Sequence, residues 1–369
     1  MFTSHPTLLI GPSDWQAERM PQAEFEQRIA ALWRICPAAS CAIVYGDRVH
    51  HAELAYLTNL TPKLEVAAAV ISATGEHAIY VGGGPNMIGA ALPLTWIKEL
   101  MPLRDGKAIG QRSVELAGAR APILIGSGYM PTQLRQAIIE GIGGNEPVQD
   151  TTQQLWTLMR RTSSYELLAI RETSLALTAA MQAITGARRT GAGPATAVLA
   201  GERAASARGA QDVRTLYSVN GGRTLQPFTT GEDIAVDPLQ VYVAVRRFNY
   251  WAEGFAVMTE RKLPALDKAN EVLKLALGGI STGAATAAVS KLIAAAVRPY
   301  RCHPVTERSF ANVIGPALEE SPHTDPTARF EAGEIYTVKV GVTDNAQSHA
   351  IVSAMVRVRD DGAEVLWSM

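Results

Sequence analysis

Residues 161–171 read RTSSYELLAIR and open a long helical pattern. Ser163 and Glu166 stand in the spacing of a capping box, in which the serine side chain and the glutamate side chain each accept a backbone N–H at the start of a helix. Apolar residues then recur largely on one helical face, at Leu167, Ile170, Leu177, Met181 and Ile184. The segment therefore predicts a helix that begins a new domain.

The residues before this helix alternate between helical and strand patterns. A helix is predicted over residues 24–35 and another over 94–100, and strands are predicted over 42–45, 66–72, 78–81 and 123–125. Gly82-Gly83-Gly84 follows a strand, but it lacks the spacing of a phosphate-binding loop, so we interpret it as a structural turn. These patterns predict an α/β domain over residues 1–157.

The residues after the capping box predict a second domain over residues 158–369. A second helix covers 194–208 and ends at Gly209. Strands over 239–246 and 251–259 are joined by a turn at Phe248 and Asn249, and a helical region over 265–297 is broken at Gly278-Gly279. Strands over 335–342, 349–358 and 365–367 follow. The predicted fold class is therefore α/β, or more strictly α+β, in two domains.

Composition narrows the classes of partner. The chain has 34 Lys and Arg against 35 Asp and Glu, and it shows no basic stripe with interleaved aromatic residues, so nucleic acid is not an expected partner. Residues 1–20 are broken by polar residues and prolines, so no signal peptide is expected. The small-residue run at 278–297 is interrupted by Ser281, Thr282, Ser290 and Lys291, so no membrane span is expected either. Cys36, Cys41 and Cys302 lack paired metal spacing and are predicted to be reduced thiols of a soluble, cytoplasmic protein.

Five short motifs occur in the same order as these elements. They are RTSSYELLAIR, NYWAE at 249–253, GPALEESP at 315–322, FEAGEIYTV at 330–338 and VRDDGAEVL at 358–366. Their order and content resemble the creatinase/aminopeptidase P family, which includes the prolidases and whose catalytic domain is called pita-bread. The upstream residues AYLTNL at 55–60 fit the same family. The resemblance implies a creatinase-like N-terminal domain, a pita-bread C-terminal domain and a homodimer.

The resemblance also implies where the metal ligands of the family's peptidases would fall. Those enzymes hold two divalent ions with two aspartates, one histidine and two glutamates. Their positions correspond here to Tyr242 or Ala244, Glu253, Arg308, Lys339 and Ser353. At these positions one carboxylate remains and two cationic side chains appear. Like unit charges about 4 Å apart repel by roughly 4 kcal/mol at an effective dielectric of 20, so these cations would repel a divalent ion. We therefore expect no metal ion and no other cofactor.

Creatinase cleaves a C–N bond without metal, with a histidine as acid and base. By resemblance, this histidine is replaced here by Phe228. Other groups would therefore have to move protons, and we name Glu253, His303 and His323 as candidates because carboxylates and imidazoles are the usual proton carriers. The alternative is that His303 and His323 are ordinary loop residues that form hydrogen bonds and take no part in catalysis.

The remaining polar and aromatic residues near these positions are candidates for substrate binding. They are Tyr250, Arg246, Arg308, Lys339, Glu319 and Ser353. Arg308 and Lys339 would favour a ligand that bears a carboxylate. Alternatively, Arg308 and Lys339 form salt bridges with Glu253 that fill the pocket of a protein without catalytic activity. The alternative for Tyr250 and Arg246 is that they only pack within the strands.

Two hypotheses of function follow. In the first, the chain is a metal-independent hydrolase of a C–N bond in a small, carboxylate-bearing substrate. In the second, it is a catalytically silent pita-bread protein, a pseudopeptidase, that binds a small molecule, a peptide or another protein. The polar content of the predicted pocket favours the enzyme.

Overall fold

The computed structural model describes residues 14–62, 65–118, 120–143, 147–228, 233–307, 309–318, 327–344 and 348–369. The chain divides between Met159 and Arg160 into two compact units. Within these ranges no helix has both the length and the apolar character needed to cross a bilayer.

The first unit is built on a mixed five-stranded sheet. Its helices are α1 (Gln22–Ile35), α2 (Ala52–Thr58), α3 (Asn86–Ala91), α4 (Gly106–Ala117), α5 (Thr132–Ile142) and α6 (Thr152–Met159). Its strands are β1 (Cys41–Gly46), β2 (Ala67–Ser72), β3 (His77–Val81), β4 (Glu99–Pro102) and β5 (Ile123–Ile125), in the order β4-β3-β2-β1-β5. The strands β1, β2 and β3 pair antiparallel, whereas β4 and β5 each add a parallel edge.

The two central strands of this sheet, β1 and β2, are buried along their whole length. Their residues pack with α4 and α5 in one apolar cluster that includes Ile43, Val70 and Ile138. Cys41 belongs to this cluster, and burial raises the pKa of its thiol to about 12. This thiol therefore behaves as a small buried hydrophobe.

The predicted helix over residues 94–100 is wrong. A 3-10 turn at Leu92–Leu94 is followed by extended backbone that leads into β4. The Thr95 hydroxyl donates to the carbonyl of Thr58 at 2.6 Å, and the Trp96 indole donates to the carbonyl of Leu57 at 3.1 Å. These bonds to the end of α2, together with the pairing of β4 with β3, outweigh the local helical pattern.

The second unit contains two sheets and five helices among its described residues. The helices are α7 (Ser164–Arg189), α8 (Pro194–Ala207), α9 (Pro264–Gly278), α10 (Thr286–Ala296) and α11 (Pro304–Glu307). Strands β6 (Asp212–Tyr217), β7 (Leu239–Arg247) and β8 (Tyr250–Met258) form one sheet. The strands of the other sheet are β9 (Arg301–Cys302), β10 (Ala311–Val313), β11 (Ile335–Thr343), β12 (His349–Arg359) and β13 (Gly362–Ser368). Their order is β10-β11-β12-β13, and β9 pairs with β11.

One face of each sheet packs on helices. Helices α7 and α8 contact the β6-β7-β8 sheet, and α9 contacts β11 and β12. The second contact forms an apolar core in which alternate strand residues such as Val338, Val340 and Val352 are buried. Because side chains alternate across a strand, the residues between them lie on the opposite face. That opposite face carries the polar residues Thr337, Lys339 and Ser353.

The predicted capping box is confirmed and is also a tertiary contact. The Ser163 hydroxyl accepts from the Glu166 amide at 3.3 Å, and Glu166 Oε2 accepts from the Ser163 amide at 2.9 Å. The Tyr250 hydroxyl donates to the other oxygen, Oε1, at 3.0 Å. The first turn of α7 is therefore tied to the start of β8.

The turn between β7 and β8 is the predicted one. Phe248 and Asn249 have φ values of 52° and 64°, as a two-residue type I′ hairpin requires. The Asn249 amide donates to Gln211 Oε1 at 2.9 Å. The turn fixes the register of the hairpin, and with it the face on which each side chain lies.

Candidate functional site

The hairpin of β7 and β8 positions the surviving carboxylate. Ala244 pairs directly with Glu253, and Tyr242 pairs with Phe255. Directly opposed residues share a face, and so do residues two apart along one strand. Tyr242, Ala244, Glu253 and Phe255 therefore lie on one face of the hairpin.

The second sheet supplies the groups that meet this carboxylate. Lys339 pairs with Ser353 across β11 and β12, and Asn312 pairs with Thr337 across β10 and β11. Alternation along β11 places Thr337 and Lys339 on the same face, opposite the face that packs on α9. Neighbouring strands thereby present an amide, a hydroxyl and an ammonium group together.

Three donors surround the Glu253 carboxylate. The Tyr242 hydroxyl donates to Oε2 at 2.6 Å, and Asn312 Nδ2 donates to Oε1 at 3.0 Å. Lys339 Nζ lies 3.9 Å from Oε1. The Glu253 side chain is 3% exposed and that of Lys339 is 20% exposed. A buried carboxylate is stable when hydrogen bonds and a cation offset its lost hydration, and this arrangement supplies both. We call Tyr242, Glu253, Asn312 and Lys339 the Glu253 cluster.

Aromatic rings flank the cluster on the hairpin side. The rings of Tyr242 and Phe255 are 4.7 Å apart at a tilt of 43°, and Lys339 Nζ lies 5.8 Å from the Phe255 ring centroid. The Phe255 amide donates to the Ser353 hydroxyl at 2.8 Å, which connects β8 to β12. Ser353 thus lies beside the cluster, where it accepts a backbone N–H.

Arg246 lies farther along the hairpin on the face of Glu253, whereas Tyr250 lies on the opposite face. Tyr250 is 4% exposed, and its hydroxyl donates to Glu166 as described above. Arg246 is also buried, with its guanidinium carbon 5.5 Å from the Trp251 ring centroid. Burial lowers the pKa of Arg246 to about 10. Their roles in binding a substrate stay predictions.

His303 is buried with both ring nitrogens next to backbone groups. Nδ1 accepts from the Val305 amide at 3.2 Å, and Nε2 lies 3.1 Å from the Gly222 carbonyl oxygen. Since a carbonyl can only accept, Nε2 carries the hydrogen and the ring is neutral. Burial lowers the pKa of His303. The hydrogen on Nε2 is therefore already used in the bond to the Gly222 carbonyl. The catalytic role of His303 stays a prediction.

Other residues singled out by the sequence lie elsewhere or outside the described ranges. Phe228 is 44% exposed, and its ring packs at 5.9 Å against Tyr217. Arg308, Glu319 and His323 lie outside the described residues. The catalytic role of His323 and the substrate-binding roles of Arg308 and Glu319 stay predictions.

Sequence reasoning missed Asn312. By resemblance, the family's metal-binding histidine corresponds to Arg308. Among the described residues that closely follow Arg308, it is Asn312 whose side chain reaches Glu253. The available signal was local: Asn312 is a polar residue between Ala311 and Val313 in a short apolar run before GPALEESP. Its importance depends on the pairing of β10 with β11, which the sequence did not reveal.

The cluster does not fit a pair of divalent ions. Such ions are held by several carboxylate oxygens, sometimes with a histidine. Here Glu253 is the single carboxylate and Lys339 places an ammonium beside it. Across the described ranges, no three His, Cys, Asp or Glu side chains are grouped as metal ligands would be.

No family model matches this sequence, and no curated protein matches it. Solved structures do match by fold. The X-Pro aminopeptidase of Thermotoga maritima is 13% identical with a TM-score of 0.72, covering 91% of this chain and 98% of its own. A dipeptidase of Mycobacterium ulcerans is 16% identical with a TM-score of 0.72, covering 94% and 96%. Aminopeptidase P of E. coli is 13% identical with a TM-score of 0.73, covering 96% and 95%. The predicted fold, a creatinase-like domain followed by a pita-bread domain, is confirmed.

Proposed function

We propose that this chain is a hydrolase that cleaves a C–N bond in a small carboxylate-bearing substrate without divalent metal, with the Glu253 cluster as its site. The observation that carries the proposal is the pairing of Lys339 Nζ with Glu253 Oε1 at 3.9 Å. The lysine side chain is the more exposed partner, at 20% against 3% for Glu253, so it is the partner that would meet an incoming carboxylate. The solved structures of the same fold named for cleaving bonds to proline, such as X-Pro aminopeptidase, support a hydrolase.

The proposed reaction gives each member of the cluster a role. Lys339 binds the substrate carboxylate, and Glu253 accepts a proton from a water molecule whose oxygen attacks the carbonyl carbon. The C–N bond then breaks, and Glu253 passes the proton to the leaving nitrogen. Tyr242 and Asn312 hold the carboxylate in position through their hydrogen bonds. His303 and His323 are the alternative proton carriers.

The remaining predicted binding residues extend the proposal. Ser353, next to the cluster, and Arg246, on the same face of the hairpin as Glu253, would contact a longer substrate. Tyr250 lies on the opposite face, so a binding role for it would require contact from that side. Arg308 and Glu319 would do so from the segments outside the described residues. We also propose the homodimer that the sequence resemblance implies, which sedimentation equilibrium measures directly.

The second candidate is a catalytically silent protein of this fold that binds a small molecule, a peptide or a protein. One observation favours it: the Glu253 carboxylate already receives two hydrogen bonds and lies near an ammonium group. Such a satisfied ion pair can act as a structural plug in the space that a metal centre would occupy.

A binding screen followed by a turnover assay separates the two candidates. Purified protein is screened by thermal shift and then calorimetry against amino acids, guanidino acids, cyclic amides and N-acyl amino acids. Binding of a carboxylate-bearing ligand should be lost in Lys339→Met and kept in Lys274→Met, which removes an exposed lysine of α9. Release of amine from the ligand that binds is then measured in wild type and in Glu253→Gln.

Each outcome has a defined meaning. Turnover in wild type that is lost in Glu253→Gln supports the hydrolase. Lysine-dependent binding with no turnover of any ligand supports the silent protein. Binding that is unaffected by Lys339→Met would place the ligand elsewhere and overturn the assignment of this site.

A further inference from the structure

Two buried side-chain oxygens, one in the Glu253 cluster and one next to it, have no hydrogen-bond partner among the described residues. They are Asn312 Oδ1 and Thr337 Oγ1. Asn312 is 7% exposed and Thr337 is fully buried. The two residues are directly opposed on β10 and β11, a relation that places Cβ atoms about 4.5–5.5 Å apart. Thr337 lies two residues before Lys339, so these oxygens share a face with the ammonium group.

The orientation of the Asn312 amide follows from its partner. Its Nδ2 donates to Glu253 Oε1 at 3.0 Å, and an ionised carboxylate can only accept. The other amide atom is therefore the oxygen, which can itself only accept. Buried polar groups in native proteins nearly always have a partner, so Oδ1 requires a donor.

The donors of the cluster are directed at the carboxylate. The Tyr242 hydroxyl donates its hydrogen to Glu253 Oε2, and Lys339 Nζ lies near Oε1. A ligand that carries an N–H group can satisfy Asn312 Oδ1, whereas an ester oxygen or a tertiary amide nitrogen cannot. The Thr337 hydroxyl can accept from the same N–H or donate to a neighbouring carbonyl oxygen.

We propose that Asn312 Oδ1 and Thr337 Oγ1 form a subsite for the N–H group of the substrate, next to the position of its carboxylate at Lys339. This inference rests on the proposed function, because the proposed reaction places the nitrogen in the C–N bond that is cleaved. The substrate class is then the N-acyl amino acid, in which a secondary amide N–H and a carboxylate are attached to one carbon. Hydrolysis adds the elements of water across the amide and yields a carboxylic acid and an amino acid.

Matched probes test the subsite in the unmodified protein. N-acetyl-L-alanine carries the N–H group, 2-acetoxypropanoate replaces it with an ester oxygen, and N-acetyl-N-methyl-L-alanine replaces its hydrogen with a methyl group. Calorimetry should show that the secondary amide binds about tenfold or more tightly than the ester, because the ester leaves a buried acceptor unpaired. The N-methyl compound should bind more weakly than the secondary amide as well.

Variants assign the preference to these atoms. Thr337→Val keeps the side-chain shape and removes the hydroxyl, so the ratio of amide to ester affinity should fall by about threefold or more. The control is Thr185→Val in α7, whose hydroxyl donates to the Met181 carbonyl at 2.8 Å, and it should leave the ratio unchanged. Asn312→Leu should also reduce the ratio of amide to ester affinity. If either variant does not fold, the ratio measured in the wild-type protein still tests the subsite.

The failure of this inference can be told apart from the failure of the proposed function. Equal binding of amide and ester, with both lost in Lys339→Met, would overturn the N–H subsite and leave the carboxylate site standing. Binding of all three probes that persists in Lys339→Met, or no binding by any carboxylate ligand, would overturn the proposed function and the subsite together. A tenfold preference in wild type that falls by about threefold or more in Thr337→Val supports both.

Discussion

The Tyr242 hydroxyl donates to Glu253 Oε2 at 2.6 Å, and the two residues are diagonal neighbours on paired strands. Ala244, which lies directly opposite Glu253, has a single methyl group as its side chain. The resemblance left Tyr242 and Ala244 as alternatives for one ligand position, and the hydroxyl that reaches the carboxylate is that of Tyr242.

Removing this hydroxyl is predicted to destabilise the second unit. Tyr242→Phe leaves a buried carboxylate with one donor fewer, and a hydrogen bond to a charged group contributes about 1.5–3 kcal/mol. The free energy of unfolding, measured by urea denaturation, should fall by about that amount. Tyr165→Phe, on an exposed face of α7, should change it by less than about 0.5 kcal/mol. Equal effects of the two variants would contradict a special role for the Tyr242 bond.

Three buried or partly buried histidines are predicted to reduce the stability of the protein as the pH decreases from about 7 to 5. Burial lowers the pKa of His77, His303 and His349 below the ordinary value of 6.5. The unfolded chain therefore binds protons first as the pH falls through 6.5, and protonation favours unfolding. The stabilising effect is complete above 6.5 and is lost as the pH falls toward the lowered values of the folded state.

The pH dependence can be assigned with single variants. The rings of His303 and His349 are 5.4 Å apart, and protonation of one raises the electrostatic cost of protonating the other. Urea unfolding of His303→Gln and His349→Gln, measured from pH 8 to 5, should show a shallower dependence than wild type. Asp150 has a lowered pKa, so its contribution is lost below about pH 4, outside this window. An unchanged slope in both variants would show that other groups cause the dependence.

Gly254 is predicted to tolerate no side chain. A Cβ atom at this position would lie 2.2 Å from Cη2 of Trp367, and Trp367 is buried. Gly254→Ala should therefore force β8 and β13 apart and lower the free energy of unfolding by about 1–3 kcal/mol or more. The matched control is Gly186→Ala in α7, where nothing lies within 4 Å of the added Cβ. That change should be neutral or stabilise by up to about 1 kcal/mol, since alanine favours helix more than glycine.

Metal content is predicted to respond to the charge of the cluster. Elemental analysis of purified protein should find no stoichiometric Mn, Co or Zn, since Lys339 places an ammonium 3.9 Å from the carboxylate. A variant that combines Tyr242→Asp, Asn312→His, Lys339→Glu and Ser353→Glu should gain binding of a divalent ion, because it gathers several oxygen ligands and a histidine in one place. Two ions per chain in wild type would contradict the description of the site.

Most elements could be predicted from the sequence because their signals are local. The capping box of Ser163 and Glu166, the apolar face of α7 and the hairpin turn at Phe248 and Asn249 each depend on residues a few positions apart. The helix predicted over 94–100 failed because its outcome depends on bonds to the distant residues Leu57 and Thr58. Local pattern is a weak guide where such contacts compete with it.

The sequence by itself determined the order of most elements and the pita-bread resemblance, and it is this resemblance that predicts Lys339 at a position where the family has a metal-binding glutamate. The tertiary structure alone decided which groups meet Glu253. Asn312 and Lys339 approach it from a different sheet, 59 and 86 positions away along the chain. Strand pairing sets the faces of side chains, but the contact between two sheets depends on how their buried faces pack on helices, and no local pattern encodes that distance.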